Sequence, residues 1–139
     1  MMEAGCCIEV FNPYDWLPGY GENSVQTFMQ GMDLMVVVSY DGENGEEQEK
    51  KIEFKGVSCF YRSSYPGPSM LGISYNVEDK EGISISRLVE FPDSEAARAW
   101  EEHYRSARKI KHYKWGFCAE NVMLEIFAES VQLEESSHS

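Results

Sequence analysis

The run from Asp33 to Arg62, DLMVVVSYDGENGEEQEKKIEFKGVSCFYR, constrains the fold more than any other part of the chain. Leu34, Met35, Val36, Val37 and Val38 are apolar at every position, so a strand here must lie centrally or be covered on both faces. Tyr40-Asp41-Gly42 opens a turn, since Asp-Gly is a strong local turn signal. The return alternates, with Ile52 and Phe54 on one face and Lys51, Glu53 and Lys55 on the other. Gly56 breaks that phase before Val57, Cys59 or Phe60 resume burial, and a Gly inside a strand pattern marks a bulge or bend. The strand is therefore expected to change direction at Gly56. Together these signals predict the central hairpin of a β-rich domain.

The flanking segments add strands around it. Cys6 to Phe11 alternates and ends at Asn12-Pro13, where proline removes a donor. The irregular run NPYDWLPGYGENS carries Tyr14, Trp16 and Tyr20. A loop so aromatic either packs over an end of the core, with Trp16 and Leu17 as the plug, or forms a binding surface. Ser24 to Gln30 is read as a short helical turn, capped by Ser24, with Val25, Phe28 and Met29 inward. Ser63 to Ser69 is a loop. A second hairpin is expected from Leu71, Ile73, Tyr75 and Val77 to Ile83, Ile85, Val89 and Phe91.

Pro92-Asp93-Ser94 then starts the one main helix, at about 94–107, with Asp93 or Ser94 as cap. Its apolar stripe is Ala96, Ala97, Trp100, Tyr104 and Ala107. Lys111, Tyr113, Trp115 and Phe117 share a strand face, and Ala119-Glu120-Asn121 turns the chain. Val122 to Leu133 fits both periods; it is read as a strand, because its neighbour needs a partner and its residues are largely β-branched or aromatic. A phase change near Glu129 reads as a bulge. The fold class is α+β and mostly β: a curled antiparallel meander sheet, half-barrel or two-layer, with one helix. The 139 residues form one domain, with 1–4 and 134–139 frayed.

Charge speaks to partners. The net charge is −12, from 24 acids and 12 bases, which argues against nucleic acid and for basic protein partners. The first base is Lys50, after ten carboxylates. The turn Asp41–Glu49 holds Asp41, Glu43, Glu46, Glu47 and Glu49 without the spacing of a Ca²⁺ loop, so no metal and no other cofactor is expected. The basic cluster Arg105–Lys114, with Tyr104, Tyr113 and Trp115, is weighed as a single-strand binder and set aside on global charge. Cys6, Cys7, Cys59 and Cys118 form no disulfide ladder, and the N-terminus lacks the basic region of a signal peptide. No window of 18 apolar residues occurs. A cytoplasmic protein with no membrane association is expected.

Catalytic patterns are absent. His138 is in the tail, His103 lies beside Glu102 on the helix, and His112 and Cys118 are about 20 Å apart along a strand. No G-x-S-x-G, H-E-x-x-H or phosphate loop occurs, so the protein is expected not to be an enzyme.

The stretches LMVVVSYDG with its acidic turn, KIEFKGV, and KHYKWGF…NVMLEIFAESVQLEE resemble the layout of small immunity proteins of bacterial toxin–immunity systems. The resemblance implies a protein that occludes a basic toxin through an acidic surface. The contact residues would then be Asp41, Glu43, Glu46 and Glu47, with Tyr14, Trp16 and Tyr20 from the aromatic loop. The alternative is a small-ligand binder with an aromatic-lined concave face.

Overall fold

The computed structural model describes residues 1–64, 71–75 and 87–134. In chain order the elements are β1 (Met2–Gly5), β2 (Ile8–Phe11), a 3-10 turn (Pro13–Asp15), β3 (Ser24–Gln30), β4 (Asp33–Asp41) and β5 (Glu47–Ser64). There follow β6 (Ile73–Tyr75), β7 (Leu88–Glu90), α1 (Glu95–His103), β8 (Lys111–Phe117) and β9 (Val122–Glu134). Seven strands form one antiparallel sheet in the order β2-β7-β8-β9-β5-β4-β3, and β1 and β6 form a small parallel pair. The mostly β architecture with one helix is thus as expected, and the sheet does not close into a barrel.

The predicted central hairpin is β4–β5, in unbroken register from Leu34↔Phe54 to Asp41↔Glu47. Leu34, Val36, Val38, Ile52 and Phe54 face one core, together with Tyr113, Trp115, Phe117, Leu124 and Ile126 from β8 and β9. Their alternation puts every second side chain on that face. The opposite face of β8 and β9 is also covered: α1 and the β1–β6 pair bury Ala4, Ile73, Val89, Phe91, Ala96, Ala97, Ile110 and Phe127 there. The nine residues of α1 are too few for a stable isolated helix, so this burial holds it.

Gly56 is where β5 turns. Its φ is +62, and an added Cβ would collide with the Glu129 carboxylate. Beyond it, Val57 N–H donates to Met32 O at the β3–β4 turn, while Arg62 Nη2 reaches Val25 O seven residues back along β3. A straight strand would carry Arg62 roughly 16 Å past Met32 and away from Val25. The far arm of β5 therefore doubles back along β3, which curls the sheet as expected. The register break falls beside Glu129 as expected, between Val57↔Ala128 and Cys59↔Phe127, but the extra residue, Ser58, is on β5, and β9 runs through it without a gap.

Several expectations need correction. Ser24–Gln30 is a strand, not a helical turn: Gly31, at φ +63 and followed by Met32 without a positive φ, makes a type II′ hairpin turn into β4. Only Val25 points into the core there, and Phe28 and Met29 are exposed. Met2–Gly5 is not frayed, since it pairs with Ile73–Tyr75. The expected first strand from Cys6 begins only at Ile8. β6 and β7 lie in different sheets instead of pairing with each other, although the intervening residues 76–86 of that expected hairpin fall outside the described residues. The helix stops at His103, short of 107, because Arg105 and Ser106 take positive φ. Residues 135–139 of the expected frayed tail are outside the described range. No helix of the described residues is long and apolar enough to cross a membrane.

Candidate functional site

Two polar clusters stand out, one at the rim and one buried. The rim cluster forms where the β2–β3 loop meets the end of β4. Tyr20 Oη donates to Asp41 Oδ2 at 2.8 Å, and Asn23 Nδ2 donates to Asp41 Oδ1 at 2.8 Å. Those two bonds, Asn23's foremost, hold the Asp41 carboxyl below the usual carboxylate range. The bond to Asp41 in turn raises the Tyr20 phenol. The loop is fixed from below: Asn23 N–H donates to Ser39 O at 2.7 Å, Ser24 and Ser39 share a hydroxyl–hydroxyl bond, and buried Glu22 accepts from Glu120 N–H at 2.7 Å.

The anticipated contact residues separate. Tyr20 and Asp41 come together, and Glu43, Glu46 and Glu47 stand exposed on the adjoining turn. That turn is ordered by Gly42 N–H donating to Glu46 O at 2.8 Å and Glu46 N–H donating to Asn44 Oδ1 at 3.0 Å. Trp16 goes the other way. Its ring lies 5.1 Å from that of Tyr40, and with buried Leu17 it packs on the core as the plug that was weighed for it. Tyr14 is partly exposed on the side facing Cys118 and Glu22; burial first, then those two groups, raise its phenol.

The buried cluster was not foreseen. His112 on β8 and Glu125 on β9 are fully buried, and His112 Nε2 bonds Glu125 Oε1. Ser94, ahead of α1, meets His112 Nδ1 at 2.7 Å and accepts from Ala97 N–H at 3.1 Å as the helix cap. Tyr75 Oη donates to Glu125 Oε1 at 2.7 Å. Ser94 Oγ accepts the cap bond and keeps both a hydrogen and a second lone pair for Nδ1, so it partners that nitrogen in either tautomer of the ring. The imidazole is layered between Phe91 and Phe127, at 4.7 and 4.4 Å between ring centroids. Among the described residues, Glu125 Oε2 has no hydrogen-bond partner.

A serine, a histidine and a carboxylate in a row are the parts of a hydrolytic triad. Here the serine is 1% exposed and its oxygen accepts the helix-cap bond. The arrangement ties α1, β8, β9 and β6 together. Its signal in the sequence is faint: once β8 and β9 pair, His112 opposes Phe127 and Glu125 follows on the same face, but Ser94 arrives from another element. Among the described residues no group of three or more His, Cys, Asp or Glu is placed to hold a metal ion. No family model, curated protein or solved structure matches the chain.

Proposed function

We propose that this chain is a protein-binding module whose acidic rim engages a basic partner in the cytoplasm, in the manner of an immunity protein that occludes a toxin. The observation that carries the reading is the Asp41 clamp. A carboxylate held by Tyr20 and Asn23 stands beside the exposed Glu43, Glu46 and Glu47, in a part of the chain without a base before Lys50. A fixed charge loses little freedom on binding, and a single-signed rim speeds encounter with an oppositely charged surface. Tyr20, 65% exposed, supplies apolar contact area at the same place. The small-ligand reading has less to rest on, because Phe54, Tyr113, Trp115 and Phe117, which would line the concave face, are packed as core.

The test uses the product of the adjacent reading frame as the candidate partner. Reversing Glu43, Glu46 and Glu47 to Lys is expected to slow association by about tenfold or more at low salt. Unchanged association and affinity would remove the acidic rim as the contact surface.

A further inference from the structure

The two edges of the main sheet are treated differently. β2 is four residues long, has a register shift between Glu9 and Phe11, and its Glu9 pairs with Arg87 at 2.7 Å. Short length, a bulge and charge are the devices that blunt an edge against further pairing. β3 has none of them. It is seven residues long, SVQTFMQ, without charge, proline or glycine, and its register with β4 is unbroken. Phe28, Met29 and the turn residue Met32 are 52%, 47% and 56% exposed.

The hairpin sets which backbone groups are open. The two-residue turn makes Gln30↔Asp33 a hydrogen-bonded pair, so Phe28, Gln26 and Ser24 also bond to β4. Val25, Thr27 and Met29 then direct their N–H and C=O groups outward. Among the described residues, the side chain that reaches this row is Arg62, which donates to Val25 O at 3.0 Å. A carbonyl has a second lone pair, so that bond leaves Val25 O able to accept once more.

We infer that the outer edge of β3 is the contact between two copies of this chain, paired antiparallel about Thr27. The edge is self-complementary in that arrangement. The Thr27 residues of the two copies exchange one pair of backbone bonds, and Val25 of each copy exchanges a pair with Met29 of the other. The ends match in charge as well. Arg62 lies at the Val25 end, while Asp33 lies at the Met29 end, 3.5 Å from Lys55, whose closer partner is Glu53 at 2.6 Å. Antiparallel pairing places each Arg62 at the end of the other copy's β3–β4 hairpin that carries Asp33. The same step covers part of Phe28, which lies across from Gln26 of the second copy. Such a two-fold contact is the commonest form of self-assembly. It leaves the Asp41–Glu47 rim, at the far end of β4, exposed.

Sedimentation equilibrium of the full chain over a range of concentrations tests this. The mass is expected to rise from the 15.9 kDa of one chain toward twice that. Thr27→Pro removes an outward N–H and no bond to β4, and Met29→Lys places a charge on the edge. Each is expected to weaken dimerisation at least about tenfold, the effect of losing a cross-strand pair of bonds. Arg62→Glu is expected to weaken it in the same direction. If Thr27→Pro does not fold, Met29→Lys, at an exposed position, decides the matter. A chain that stays monomeric at every concentration overturns the inference. So does a dimer that survives both edge variants, since its contact lies elsewhere.

Discussion

At the scale of single residues, Gly56 carries the most consequence. Its positive φ lets β5 turn, and the space where a Cβ would stand is filled by Glu129. Glu129 in turn holds Arg108 at 3.2 Å, and Arg108 donates to Gly56 O at 2.6 Å. Gly56→Ala is expected to lower stability by about 1–3 kcal/mol, seen as a lower urea midpoint. Adding Glu129→Ala relieves the collision but not the backbone strain, so recovery is partial. Gly56 was legible in the sequence as a break in a two-residue period. Its partner was legible only as a place, the phase change of β9 between Ala128 and Val131, which both face the same core. Trp16 and Tyr20 show a similar limit. Both are aromatic loop residues four apart, and only the fold decides that one plugs the core while the other clamps Asp41.

At the scale of elements, α1 depends on Ser94 twice, as the cap of Ala97 N–H and as the partner of His112. Ser94→Ala removes a cap worth about 1 kcal/mol. It also leaves a buried ring nitrogen unpartnered, at about 1–3 kcal/mol. A loss of about 2–4 kcal/mol in urea unfolding is expected, with Ser94→Thr retaining most of the stability. A loss no larger than an ordinary cap would show that the His112 bond contributes nothing. The cap was readable from Pro92-Asp93-Ser94, and β4, β5, β8 and β9 from their alternation. β3 was misread because Val25, Phe28 and Met29 also satisfy helical spacing, and the deciding signal, Gly31 in a tight turn, lies outside that window. The helix end was misplaced because Arg105 and Ser106 take left-handed backbone without being glycine.

For the whole molecule, burial sets the response to alkali. It pushes the Cys59 thiol up to about 11 from an ordinary value of 9.0, and raises the Tyr113 phenol as well, with Glu90 adding to the effect. Both groups are neutral in the fold and ionise at lower pH when unfolded. The stability Cys59 contributes is whole below about pH 9 and is lost as pH rises toward 11. After discounting for its partial exposure, that loss is on the order of 1 kcal/mol. Urea midpoints measured from pH 8 to 11 check this, and Cys59→Ala is expected to flatten that part of the curve. The overall arrangement was legible as a curled antiparallel sheet with one helix. The parallel β1–β6 pair was not, since a four-residue and a three-residue strand offer too little alternation to read. The place of β9 bears on how the chain is made. The last of the described strands lies in the middle of the sheet, hydrogen-bonded to β5 on one side and β8 on the other. Until residues 122–134 have left the ribosome, β3–β5 and β2–β7–β8 are two groups of strands with bare inner edges. During synthesis the nascent chain thus exposes pairing surface longest at its future centre, and a ribosome that stalls before Val122 releases a product prone to aggregate.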